Sequence, residues 1–299
     1  MNQTTTSTSD TLSPQTWAVL IAMLMIDSFH LIFGRLLTNY MSPFVSALFL
    51  MLVATIEVGA VLAWRRAIDW RVFWQHRWFF LAIGGLVAGS TVMNYTAVTL
   101  IDPGTASILG RFATVVTLAL SYFWLKESLS RQELIGAALC VVGAVTITFQ
   151  PGDLFRTGSL LVIGALSFYS LHIAIVKRYG DNMDFGNFFL YRVATTAAFL
   201  VIFTLLSGNA ALPPSRQAWL IVLIAATVDV VVSRLLYYWA LRQMRLGIHT
   251  ILLTMTPVLT IIWSRLFFAE SPTPQGLIGG AIVMAGILLV AVAQQRRAR

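Results

Sequence analysis

Charge is scarce in this chain. Asp, Glu, Lys and Arg supply 11% of its 299 residues, while apolar residues supply 58%. Soluble domains carry roughly a quarter charged residues, so this composition, with a mean hydropathy of +0.80, excludes an ordinary soluble fold and points to a bilayer. Cysteine is nearly absent. The single Cys140 excludes an intrachain disulfide and any cysteine-based zinc cluster. The first sixteen residues, MNQTTTSTSDTLSPQT, contain no Lys or Arg. A secretory signal needs a basic stretch ahead of its apolar core, so residues 1–16 read as an uncleaved, disordered cytoplasmic tail. No HExxH, Walker loop, kinase or hydrolase signature is present, nor a ligand cluster with metal spacing. No enzyme activity, cofactor or metal is therefore expected, and any work must draw on an ion or substrate gradient.

Long apolar runs are plentiful. About twenty apolar residues cross the hydrocarbon core as a helix, and that ruler gives ten spans: 17–37, 44–64, 78–98, 104–124, 131–149, 158–177, 187–207, 218–241, 247–267 and 275–293. Ser42-Pro43, Asp102-Pro103-Gly104, Pro151-Gly152, Pro213-Pro214 and the pair Pro272 and Pro274 punctuate them. The formal charge of +8 is parcelled into short loops, a topology signal and not a nucleic-acid patch. With the N-terminus inside, thirteen Lys/Arg face the cytoplasm and three (Arg35, Arg156, Arg216) face out. Both termini are expected in the cytoplasm, the tail 294–299 is basic, and the expected location is a multi-pass cell inner membrane.

The chain repeats itself. A shift of 143 residues lays Tyr95–Gly143 on Tyr238–Gly286 with sixteen of forty-nine positions identical, among them Glu127/Glu270, Gly136/Gly279 and Gly143/Gly286. Shared apolar composition alone would give on the order of five. At a shift of 142, His30 falls on His172. Five spans per half is an odd number, so the second half (158–293) enters the membrane opposite to the first (17–149). The fold class expected is all-α integral membrane, with ten helices as two inverted five-helix repeats. That architecture is common among secondary transporters, which bind cargo near the midplane between the halves. A scaffold or sensor built by duplication is the competing reading, and a membrane enzyme is a third.

The paired segments LSYFWLKESLSRQELIGAALCVVGAV (120–145) and WSRLFFAESPTPQGLIGGAIVMAGIL (263–288) resemble the drug/metabolite transporter superfamily, specifically its EamA-type ten-helix exporters. Pro257 fits the pattern in the second half; Thr114 stands there in the first. Arg192 opens the second helix of its repeat in the family manner, where the first half has Leu52. The resemblance implies a basket of helices around a central cavity lined by spans 1, 3, 4, 6, 8 and 9. It also implies export of a small metabolite, commonly an amino acid or a related compound, and says little about which.

Asp27, Arg111, Arg192, Asp229 and Arg234 lie inside spans. A charge at membrane depth costs at least ~2.5–3.5 kcal/mol and normally faces a protein interior or a wet cavity. A polar path and structural ion pairs are the two readings. Helical spacing puts Ser107 and Arg111 on one face of span 4, with Thr254 as the counterpart of Arg111 in span 9. Tyr169 and His172 in span 6 match Asp27 and His30 in span 1. Asp229 and Arg234 are five apart, too oblique for an intrahelical pair.

The guanidinium fork binds carboxylate or phosphate through two parallel hydrogen bonds. Arg111, Arg192, Arg234, Ser107, Asn94, Tyr169, Tyr237 and Thr254 are therefore the candidate substrate contacts. Asp27, Asp229, His30 and His172 are candidates for proton coupling, since His and carboxylates can change charge under a gradient. The expected cargo is anionic or zwitterionic: an amino acid, an amino-acid conjugate or an opine-like metallophore. An organic cation or drug is the alternative. The expected partners are this small molecule, the lipid bilayer and protons as a candidate coupling ion, with no nucleic acid, in a monomer or weak homodimer.

Overall fold

The computed structural model describes residues 14–124, 129–149, 156–180, 183–208, 210–236 and 255–297. Every regular element among them is helical. Among the described residues, nine helical stretches are long and apolar enough to cross a membrane, and Thr256–Phe268 is a shorter apolar helix. It forms the described part of span 9, whose upstream residues, like Tyr237 and Thr254, lie outside the described set. The chain is thus an all-α bundle of two five-span repeats.

The punctuation signals start helices. Ser42 accepts from the Val45 amide at 3.4 Å ahead of Pro43, and Asp102 accepts from Thr105 at 2.8 Å ahead of Pro103. Ser130 and Glu133 close a reciprocal capping box. Such caps satisfy amides that a helix start leaves unpaired. Between spans 2 and 3, six residues of the connection form the short helix Trp70–Gln75.

Direct geometry shows the inversion. Span 5 (Arg131–Thr148) packs against span 10 (Pro274–Arg297), its repeat mate, through glycines. A Cβ on Gly136 would sit 2.6 Å from the Gly286 carbonyl, and one on Gly143 2.6 Å from the Gly279 carbonyl. Residue numbers rise along one helix as they fall along the other, so equivalent helices run antiparallel. Gly136 and Gly279 are repeat equivalents, as are Gly143 and Gly286; exchanging the repeats therefore carries one contact onto the other. Cys140, whose Sγ lies 3.5 Å from the Val283 carbonyl, and its equivalent Val283 mark the pseudo-twofold axis. In the small-residue pairs Gly85/Gly89 and Gly276/Gly280 the contacts are to side chains: a Cβ on Gly89 or Gly280 would lie 2.9 Å from Phe168 or Ile108, whereas Gly85 meets only the Phe199 ring at 3.5 Å and Gly276 has no neighbour nearer than 3.4 Å.

Among the described residues, three spans depart from regular helix. Span 1 is two helices, Pro14–Ser28 and His30–Thr38, parted at Phe29. Span 4 is Pro103–Gly110 and Ala113–Phe123; around the break, amides 111, 112, 114 and 115 bond three residues back and overwind the chain. Span 8 widens into a π-helical turn, Ala226–Val232. Irregular backbone at membrane depth survives only inside protein or beside a water-filled space. Each irregularity lies beside an intramembrane charge: Asp27 and His30, Arg111, and Asp229. These breaks also revise the face assignments, because spacing rules for a regular helix do not carry through Arg111–Val115 or Ala226–Val232.

Candidate functional site

Asp229, buried within the π-helical turn, bonds His30: Oδ2 lies 2.8 Å from Nδ1. The pair joins span 1 of the first repeat to span 8 of the second. Asp27, three residues before His30, faces elsewhere because the chain breaks at Phe29 between them. Its Oδ2 is 3.9 Å from an Arg111 Nη2 and accepts from Thr256 Oγ1 at 3.3 Å. Below it, Thr260 Oγ1 donates to the Ser28 carbonyl at 3.0 Å. Trp263 donates to Ser28 Oγ at 2.9 Å and stacks on Phe29 at 4.7 Å. Span 9 therefore closes over the broken turn of span 1.

The other candidates gather on the same centre. The charges of Arg234, Arg192, Asp27 and Asp229 all act on the Tyr169 phenol, and those of Arg192 and Arg234 on the His172 ring. Tyr169 and His172 rings lie 5.2 Å apart. The two repeat-related histidines thus differ: His30 pairs with an acid, whereas His172 packs beside Tyr169. Arg192 is buried on span 7, a span outside the six that the resemblance implies line the cavity.

His30 keeps 35% of its side-chain surface open, against 3% for Asp229. Arg111 and Asp27 keep 23% and 25%. Three arginines against two aspartates leave the centre with one net positive charge when the histidines are neutral.

Two residues read from the sequence stand apart. Ser107 is buried and Asn94 half-buried, and neither bonds to the cluster among the described residues. Sequence reasoning missed Tyr95 and Thr256. Tyr95 is fully buried, its ring 6.5 Å from His30 and tight against Gly34, where a Cβ would lie 3.0 Å from the ring. Tyr95 opens the internal repeat, matched by Tyr238, and that signal could have marked it. Glu270, repeat partner of Glu127, ion-pairs with Arg35 across the repeats at 2.6 Å, beside a cavity of about 460 Å³.

The model of the EamA-like transporter family matches residues 15–149 and again 156–292. An uncharacterized transporter, YdfC, of Bacillus subtilis is 24% identical over 189 residues, which cover 62% of each chain; the chain thus spans under two thirds of that relative's length. A probable terminal-alkyne amino-acid exporter of Streptantibioticus cattleyicolor is 24% identical over 211 residues, 69% of each chain. Among solved structures, one crystal structure of a protein superposes with a TM-score of 0.64 at 18% identity, covering 94% of this chain and 99% of its own. That likeness speaks to fold alone.

Proposed function

The chain belongs to the EamA-like transporter family and is a membrane transporter; from that premise we propose that it is a secondary transporter that exports a small zwitterionic or anionic metabolite by alternating access. The observation that carries this reading is the central cluster, where charges of both signs from both repeats meet beside three interrupted helices. A net positive centre favours a carboxylate, and Asp27 or Asp229 offers a counter-charge for an ammonium group. The amino-acid exporter among the relatives is consistent with such cargo. The cytoplasmic membrane is the proposed location, with both termini inside, supported by the thirteen-to-three distribution of basic residues.

Arg111 and Arg234 are the proposed carboxylate contacts. Arg111→Lys and Arg234→Lys keep the charge and remove the fork. A charge-assisted hydrogen bond is worth ~1.5–3 kcal/mol, so each variant is expected to bind substrate roughly ten- to hundredfold more weakly, read as a raised KM for uptake into inverted vesicles. Parental KM values in both variants would remove these arginines from the binding site.

A further inference from the structure

The segment between spans 2 and 3 is built as a surface. From Trp64 to Trp78 it carries Arg65, Arg66, Arg71 and Arg77 against one acid, Asp69, and all four arginines are exposed. Trp64, Trp70, Trp74 and Trp78 are 83%, 66%, 63% and 73% exposed. The short helix fixes this arrangement. Asp69 caps it through the Arg71 amide at 2.9 Å, and Phe73 turns inward onto Phe80 and Tyr191. Trp70 borders Tyr191 at 6.2 Å between ring centroids yet stays exposed, as does Trp74 one turn on. The Arg77 guanidinium lies 5.8 Å over the Trp78 ring and donates to the Trp74 carbonyl at 3.3 Å. Indoles this open, interleaved with guanidinium groups, suit the headgroup level of a bilayer.

The same segment is bolted to span 7. Asn187 Nδ2 donates to the Ala67 carbonyl at 2.9 Å, and Asn187 Oδ1 accepts from the Asp69 amide at 2.9 Å. Tyr191 Oη donates to the Asp69 carbonyl at 2.9 Å. Arg66 is held in the left-handed region at φ 51°, an arrangement that costs a non-glycine residue energy and needs such anchoring. Arg192, in the central cluster, follows Tyr191 directly.

We propose that residues 64–78 bind the head groups of anionic phospholipids, and that their occupancy steadies span 7 and with it Arg192. Guanidinium forks match phosphate oxygens. In phosphatidylcholine the phosphate is offset by its own choline cation; in phosphatidylglycerol it is not, so charge complementarity selects the anionic lipid.

The full-length protein in nanodiscs of phosphatidylcholine and phosphatidylglycerol, released for native mass spectrometry, is expected to retain phosphatidylglycerol preferentially. Its Tm should be higher in mixed discs than in pure phosphatidylcholine. The variant R65Q/R66Q/R71Q/R77Q should lose preference by about fivefold per arginine and lose the Tm gain, while melting like the parent in pure phosphatidylcholine. N187A/Y191F should keep the lipid but lose the Tm gain, and Tyr191→Phe alone, which removes one hydrogen bond and little packing, should lose part of it. No phosphatidylglycerol preference in the parent, or an undiminished one in the arginine variant, overturns the site. A full Tm gain in N187A/Y191F overturns the link to span 7.

Discussion

Gly136→Ala and Gly143→Ala, made together, are expected to leave little folded protein. Each new methyl would meet a backbone carbonyl at 2.6 Å and a valine Cγ2 at 2.7 Å, so neither side-chain rotation nor local settling can relieve it. Overpacking costs ~1–3 kcal/mol per site, and contacts against backbone belong at or above the top of that range. The propensity gained by replacing helical glycine is about 1 kcal/mol each. The net loss for the pair, about 4 kcal/mol on these figures, is a large share of the ~5–15 kcal/mol that holds a typical domain together. Gly85→Ala is the control, because its methyl would reach only the Phe199 ring at 3.5 Å; it should melt at or slightly above the parental temperature. Thermal melting in detergent, followed by fluorescence-detected size exclusion, reads both. A double variant that melts with the parent would mean that spans 5 and 10 do not meet along this seam.

Asp229→Asn is expected to abolish accumulation driven by a pH gradient while part of the substrate exchange survives. The His30–Asp229 couple has two titratable members at 2.8 Å, drawn from different repeats, so a rearrangement between repeats must strain or break their bond. Asp27 has Arg111 and Thr256 as partners, and neither can accept or release a proton near neutral pH. Of the two carboxylate candidates, this contrast favours Asp229 over Asp27 for the proposed coupling role. Asn keeps the shape and a hydrogen bond to His30 but carries no exchangeable charge. With no proton to load or release there, gradient-driven accumulation should fall to the level of empty liposomes, with Asp27→Asn affected far less. Unchanged dependence on the proton gradient in reconstituted Asp229→Asn vesicles would refute the role. The reverse ranking of the two variants would return it to Asp27.

Span number and pairing were legible because bilayer thickness sets helix length and duplication leaves identities such as Gly136/Gly279. The intramembrane charges were legible one by one, since each is costly where it stands. Their partners were not. A regular helix would put Asp27 and His30, three residues apart, on one face, but the break at Phe29, with no Pro or Gly beside it, sends them to Arg111 and Asp229 respectively. The π-helical turn at Ala226–Val232 is equally silent in sequence, although the β-branched run Thr227–Val232 around Asp229 crowds a regular helix. Ser107, placed beside Arg111 by spacing, bonds nothing in the cluster because overwinding begins just after it. Breaks of this kind are made by tertiary contacts, here Thr260 and Trp263 of span 9 holding Ser28.

Counterflow in proteoliposomes bears most directly on the central claim. Vesicles loaded with one unlabelled amino acid at a time are diluted into a trace of the same labelled compound, with empty liposomes alongside. The account predicts transient labelled accumulation for at least one zwitterionic or anionic amino acid or conjugate, lost in Arg111→Lys and Arg234→Lys at low substrate. Counterflow confined to organic cations, unaffected by either arginine, would contradict it.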